Sequence, residues 1–219
     1  MIGVWSMINT VLFDLDGTII DTANVILGSW QHTYRKLDGK EGDRNKILKT
    51  MGEPLAVSLK NAFPHVPVEE SMEIYRSFHK DNFSDSIKIF PGMKELIKEL
   101  KERKYSLSVV TSRMRGTTEE ALDKYGIKEL FDYIVTCDDT DKHKPDPEPI
   151  FVALRQLSKG PDESIMVGDS IFDILCAKNA SVKSALVGWT ITMTEEEALI
   201  GDVPDYIIKR PEDLLKVIL

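Results

Sequence analysis

The sequence predicts an α/β fold: a doubly wound parallel sheet with a helical segment inserted near its start. Three observations carry this. Short apolar, β-prone runs recur along the chain, amphipathic helical patterns separate them, and one stretch, from Asp21 to Asp85, has helical period and no convincing strand.

The first run, Thr10-Val11-Leu12-Phe13, ends abruptly at Asp14-Leu15-Asp16-Gly17-Thr18, as a buried strand does when it enters a polar loop. In the inserted stretch Val25, Ile26 and Trp30, and later Met72, Tyr75 and Phe78, follow helical spacing, with Pro64 and Pro67 punctuating its middle. Gly17 to Asp21 and Ser84 to Pro91 are the expected hinge strands on either side of it. Met93, Leu96, Ile97 and Leu100 mark the next helix, and Ser106 to Val110 the next strand. Thr117 with Glu120 reads as a capping box ahead of Leu122. Tyr133 to Val135 is a short strand, and Asp146-Pro147 starts a helix carrying Ile150, Phe151, Leu154 and Leu157. Ser164 to Val167 and Lys183 to Val187 complete the strands. Continuous apolar runs of this kind suit a parallel sheet covered on both faces, which binds ligands at the carboxyl ends of its strands. The expected division is a core of residues 7–20 and 86–219 and a helical cap of residues 21–85.

Composition narrows the function. With 219 residues, 42% hydrophobic and 29% charged, the chain can bury a full core and solvate its surface. A net charge of −8 disfavours a polyanion-binding surface, so nucleic acid is not an expected partner. The acidity lies in the core, because nine Lys and Arg against ten Asp and Glu leave residues 21–85 at −1. Two cysteines, Cys137 and Cys176, form neither a disulfide framework nor a paired-thiol zinc spacing, which points to a reducing compartment, the cytoplasm. No stretch approaches the roughly 20 apolar residues of a membrane span, and no membrane association is expected. Met1 to Ser6 are apolar without a basic flank, which does not read as a signal peptide, and Met7 offers a second start.

The chemistry concentrates where strands end. Asp14 and Asp16, two apart after an apolar run, point toward one rim closely enough to disfavour joint ionisation without a cation. An isolated Asp-x-Asp is more often a solvated loop; its place after a strand argues otherwise. Gly168-Asp169-Ser170-Ile171-Phe172-Asp173 repeats the pattern after Ile165-Met166-Val167, with its aspartates four apart on one face of a starting helix. A helix N-cap accounts for Asp169 alone. Two acidic rims on one sheet make an oxygen-rich pocket suited to Mg²⁺, the expected cofactor. Thr111 and Ser112 offer hydroxyl and backbone N–H groups where a phosphate could dock, with Arg113 adjacent, though a Thr-Ser pair after a strand is also ordinary turn chemistry. Lys144, among the prolines of His143-Lys144-Pro145-Asp146-Pro147-Glu148-Pro149, is either a cation fixed at the pocket edge or a surface lysine in a helix-entry loop. Gly52, Glu53 and Pro54 form either a specificity loop or a plain turn between helices. His32, His65, His79 and His143 show no metal spacing and receive no role.

In order along essentially the whole chain, Asp14-Leu15-Asp16-Gly17-Thr18, Val110-Thr111-Ser112, Lys144-Pro145 and Gly168-Asp169-Ser170 with Asp173 resemble the four motifs of the haloacid dehalogenase superfamily of phosphohydrolases. The insert after the first motif is similar to that family's first, helical cap class. The resemblance implies a Rossmann-like core and a small phosphorylated substrate. It also implies catalytic roles for Asp14, as the nucleophile that becomes an aspartyl-phosphate, and for Asp16, as general acid and then base. Mg²⁺ would be held by Asp14, the backbone carbonyl of Asp16 and Asp169, with Asp173 orienting Lys144 or a metal-bound water. Thr111, Ser112 and Lys144 would hold the phosphoryl oxygens.

Val135-Thr136, Asp138-Asp139, Pro147-Glu148-Pro149 and Trp189-Thr190-Ile191 resemble the pyrophosphatase branch of Gram-positive bacteria. Such an enzyme needs a second cationic cradle, for which Arg35, Arg44, Lys46, Lys49 and Arg113 are candidates. The alternatives are a phosphoglycolate phosphatase and a β-phosphoglucomutase-like phosphomutase, whose branch commonly has Val where Thr18 stands. More distant is a receiver-like phospho-switch, which lacks an acid two residues after its phosphorylated aspartate.

Overall fold

The structure, a computed structural model, describes residues 7–218; the expectation for Met1 to Ser6 lies outside the described residues. The chain opens with β1 (Thr10–Phe13) and β2 (Ile20–Asp21), followed by four helices, α1 (Ala23–Asp38), α2 (Arg44–Leu48), α3 (Leu55–Ala62) and α4 (Val68–Ser86). After β3 (Lys88–Ile89) the alternation runs α5 (Met93–Glu102), β4 (Ser106–Val110), α6 (Arg115–Lys124), β5 (Tyr133–Val135), α7 (Glu148–Leu157), β6 (Ser164–Gly168), α8 (Ile171–Asn179) and β7 (Lys183–Val187). The last elements are α9 (Glu195–Ala198), β8 (Tyr206–Ile208) and α10 (Leu214–Ile218).

Six strands form one parallel sheet in the order β5-β4-β1-β6-β7-β8, five of them at the apolar runs expected as strands. β1 lies inside it with Thr10 opposite both Ser106 and Ser164. The two-residue period of a strand sends alternate side chains to opposite faces. Val11, Phe13, Ile165 and Val167 therefore join one cluster with Met93, Leu96, Ile97 and Leu100 of α5. Leu12 and Met166 join another with Ile150, Ala153 and Leu154 of α7 and Ala177 of α8. Full burial of each such side chain is worth about 1.5–3 kcal/mol, so a sheet covered on both faces is the favoured use of these runs.

β8 was not legible in the sequence, because three residues flanked by polar turns carry almost no period; pairing with β7 through Ala185 and Tyr206 makes them a strand. The expected capping box at Thr117 does not form. Arg115 starts α6, its backbone N–H donates to Asp138 Oδ2 at 2.8 Å, and Thr117 lies inside the first turn donating to the Met114 carbonyl. A carboxylate from the loop after β5 thus takes the capping position. Asp146 does serve the start of α7, accepting from the Glu148 N–H at 3.0 Å.

The four helices between β2 and β3 share a smaller cluster of their own, with Trp30 stacked on Phe63 at 6.3 Å and Tyr75 edge-on at 5.9 Å. β2 and β3 pair antiparallel through Ile20 and Ile89, within the two stretches expected as hinges, although Ser84 to Ser86 are the last turn of α4. Among the described residues no helix is long and apolar enough to cross a membrane.

Thr18 is fully buried, and its hydroxyl has no hydrogen-bond partner among the described residues. An unsatisfied buried hydroxyl costs about 1–3 kcal/mol, so Thr18→Val is expected to raise stability by roughly 1 kcal/mol. Urea denaturation checks this; a loss of stability would mean that the hydroxyl has a partner. Thr18 does not line the cavity described below.

Candidate active site

The chain order reverses beside β1: β4 and β5 lie on one side, β6 to β8 on the other. The loops at the carboxyl ends of β1, β4 and β6 therefore diverge and leave a crevice. It widens beneath α1, the α2–α3 loop and α4 into a cavity of about 520 Å³. Asp14, Asp16, Thr111, Ser112, Lys144 and Asp169 all line it, and so do Gly52, Glu53 and Pro54.

Asp14 continues the β1 ladder, its N–H donating to the Val167 carbonyl at 2.9 Å, which fixes its carboxylate at the rim. Lys144, whose side chain is 2% exposed, reaches under that carboxylate. Its Nζ donates to Asp14 Oδ1 at 2.7 Å, Asp173 Oδ1 at 2.6 Å and the Val110 carbonyl at 3.3 Å. It is therefore a buried cation, not a surface lysine. Asp173 is itself held by Ser170, whose hydroxyl and N–H donate to Asp173 Oδ2 at 2.7 and 3.1 Å.

Ser170, not Asp169, is the N-cap of α8, which leaves the Asp169 carboxylate for the cavity. The loop after β7 holds Asp169 by its backbone: the Thr190 and Thr192 hydroxyls donate to its carbonyl at 2.7 and 2.5 Å. Gly17 has φ +76, and a Cβ there would run into the Asp169 carboxylate, so the close approach of the β1 and β6 rims requires glycine.

Charge at this rim is unbalanced. Carboxylate oxygens of Asp14, Asp169 and Asp173 lie within 4.8 Å of one another, and among the described residues the buried cation paired with them is Lys144. Burial pushes Asp14 up to about 7, against the pull of Lys144 and with the repulsion of Asp173 and Asp16. Burial likewise holds Asp169 well above the usual carboxylate range, helped by Asp173 and Asp14. Lys144 is raised despite its burial, because Asp14 and Asp173 favour its charge. Three hard oxygen donors sharing a single positive charge fit a hard divalent cation, which would reverse the upward shifts.

Asp16 is built differently. Arg113, whose side chain is 8% exposed, grips its carboxylate with two hydrogen bonds, Nε to Oδ2 at 3.0 Å and Nη2 to Oδ1 at 2.9 Å. Burial alone would raise Asp16, but the charge and hydrogen bonds of Arg113 outweigh it and hold the group below its ordinary value. Arg113 also lies over the Phe83 ring, 4.4 Å from its centroid, and its Nη1 is 3.3 Å from His79 Nε2. A guanidinium only donates, so His79 Nε2 accepts and Nδ1 carries the proton toward Ser29 Oγ at 3.4 Å. Burial first, then the Arg113 charge, push His79 down to about 4, which agrees with this neutral tautomer.

Sequence reasoning gave His79 no role and set Arg113 beside Thr111-Ser112 and among the candidates for a second cationic cradle, but not on Asp16. The legible signals were a histidine four residues from both Tyr75 and Phe83 on one helix face and an arginine directly after Thr111-Ser112. Of the cations considered for a second cradle, Arg113 lines the cavity, whereas Arg35, Arg44, Lys46 and Lys49 do not; Arg76 and Lys80 of α4 do. Gly52 has φ +94, and its carbonyl accepts from Ser112 Oγ at 3.3 Å, which brings the α2–α3 loop onto the rim of the sheet.

Known proteins match this chain over nearly all of its length. The chain is 39% identical over 212 residues to the pyrophosphatase PpaX of Halalkalibacterium halodurans, covering 96% of this chain and 97% of that one. It is 36% identical over 213 residues to the pyrophosphatase PpaX of Bacillus pumilus, covering 97% of each. The crystal structure of a predicted phosphatase from Clostridium acetobutylicum superimposes with a TM-score of 0.85 at 28% identity, covering 97% of this chain and 99% of that one. The profile of one family, described as haloacid dehalogenase-like hydrolase, matches residues 11–187, the span from β1 to the end of β7 that supplies each strand-end carboxylate and Lys144; the chain is a member of that hydrolase family.

Proposed function

We infer that this hydrolase is a Mg²⁺-dependent phosphohydrolase acting through phosphorylated Asp14, and that its substrate is inorganic pyrophosphate. In this reading residues 7–20 and 86–219 form the catalytic core and residues 21–85 a cap. The carrying observation is the buried Asp14 carboxylate, set between Lys144 and Asp169 at the floor of the cavity, with Asp16 at its wall. Two relatives named pyrophosphatase, matched over nearly all of this chain, support the substrate.

Asp14 is the nucleophile. Its free oxygen bonds to phosphorus as the bond from that phosphorus to the bridging oxygen breaks, and the electron pair leaves with the departing phosphate. Thr111, Ser112 and Lys144 hold the transferring oxygens. Asp14, Asp169 and the backbone carbonyl of Asp16 would hold Mg²⁺, which would supply positive charge against those oxygens. A water then attacks phosphorus, Asp16 takes its proton, and the second phosphate leaves with the Asp14 carboxylate restored. The grip of Arg113 keeps Asp16 ionised, the form that can accept this proton. A leaving phosphate, whose second pKa is about 6, departs near neutral pH with little need of a donated proton.

Phosphate release with Mg²⁺ from pyrophosphate, 2-phosphoglycolate, sugar phosphates and an aryl phosphate tests the reading. Pyrophosphate is expected to give the largest kcat/KM. A preference for phosphoglycolate would overturn the substrate, and no release from any would overturn hydrolysis. A pH dependence follows as well. Without metal, Asp14 is pushed up to about 7; it is protonated below that pH and ionised above it. Mg²⁺ affinity is therefore expected to weaken as the pH falls through 7, by up to about tenfold per unit for one displaced proton. Titration calorimetry at several pH values measures this, and a pH-independent affinity contradicts it.

A further inference from the structure

The cavity does not end at Asp16. Beyond it the wall is α4, whose residues Tyr75, Arg76, His79, Lys80 and Phe83 share one helical face. His79 and Phe83 lock Arg113 against Asp16. Arg76 and Lys80 are exposed at the mouth, and among the described residues neither enters an ion pair. Arg76 lies near enough to Cys137, another residue lining the cavity, for its charge to act on that thiol. Two carboxylates share this outer wall. Glu53 accepts from Ser58, and Glu120 stands on α6.

In-line displacement places the leaving oxygen on the far side of phosphorus from Asp14. With the transferring group held by Thr111, Ser112 and Lys144, the leaving group occupies the outer part of the cavity, between Asp16 and α4. A neutral alcohol there would leave two cations unmatched, whereas an anion would meet Arg113 at the wall and Arg76 and Lys80 at the mouth.

We propose that Arg76 and Lys80, together with Arg113, form the cradle for a negatively charged leaving group, so that this site selects phosphorylated compounds whose leaving group carries an anion of its own. The proposal rests on the hydrolase reading above. It makes Arg76 and Lys80 specificity-determining residues.

The test compares kcat/KM for pyrophosphate, 2-phosphoglycolate and 4-nitrophenyl phosphate in the wild type, Arg76→Met, Lys80→Met and, as a control outside the cavity, Lys60→Met. Each cavity variant is expected to lower the ratio of pyrophosphate to aryl phosphate by at least about tenfold, the effect of losing a charge-assisted hydrogen bond. The control should leave the ratio unchanged. Loss on pyrophosphate alone identifies the anion as phosphate. Parallel loss on phosphoglycolate supports the broader anionic class. Equal loss on all three substrates, or none, overturns the proposal. A wild type that hydrolyses none of them overturns the hydrolase reading instead, so the two failures are distinguishable.

Discussion

Asp14→Asn is expected to abolish turnover, lowering kcat by at least about 10⁴-fold, because the amide keeps the shape and the acceptor for Lys144 but removes the proposed nucleophile. The same variant is expected to be no less stable than the wild type without metal. Asp14 is one of three carboxylates crowded around a single lysine, and its charge helps to push Asp169 up. Removing one negative charge relieves that repulsion, an instance of stability given up at a functional site. Phosphate release and urea denaturation measured side by side check both halves. A variant retaining a tenth of wild-type turnover would contradict the role of Asp14, and a large loss of stability would contradict the electrostatics.

Lys144→Met is expected to have the largest effect on stability. Nζ is the buried cation between Asp14 and Asp173, and methionine fills the space without the charge. Removing one partner of a buried ion pair costs about 3–5 kcal/mol, and here it leaves two carboxylates uncompensated. Without the lysine Asp14, already raised by burial, would ionise still less readily in the fold than in the unfolded chain. A carboxyl whose folded pKa is raised loses stability as the pH climbs above its unfolded value. The deficit is therefore expected to be larger at pH 8 than at pH 5 and to be reduced by Mg²⁺. Denaturation at the two pH values measures it, and an equal deficit at both would contradict the pairing. Turnover should be undetectable at either pH, since the phosphoryl oxygens lose their cation.

The sheet was legible because its strands are short and fully buried: Thr10–Phe13 and Ser164–Gly168 read as continuous apolar runs, and both are covered on two faces. β8 was not, since Tyr206–Ile208 becomes a strand only by pairing with β7. The carboxylates at the strand ends were legible from spacing, but their partners were not. The grip of Arg113 on Asp16 joins residues 97 positions apart, and the contact of Lys144 with Asp14 spans 130. Contacts at that separation come from topology, here the reversal of strand order beside β1. Two helix starts differ for a related reason, whereas Asp146 serves as expected: Thr117 gives way to Asp138, and Asp169 to Ser170, because a neighbouring loop or residue supplies the cap. His79 reads as one more member of a half-buried helix face until the fold sets Arg113 against it.

The measurement that bears most directly on phosphorylation of Asp14 is chemical trapping. Wild-type protein turning over pyrophosphate with Mg²⁺ is quenched, reduced with borohydride, which converts an aspartyl-phosphate to homoserine, and mapped by peptide mass spectrometry. Homoserine at position 14, absent from the Asp14→Asn variant and from samples without pyrophosphate, is the predicted result. Steady phosphate release with no reduction at position 14, or with reduction at Asp16 or Asp169 instead, would contradict it.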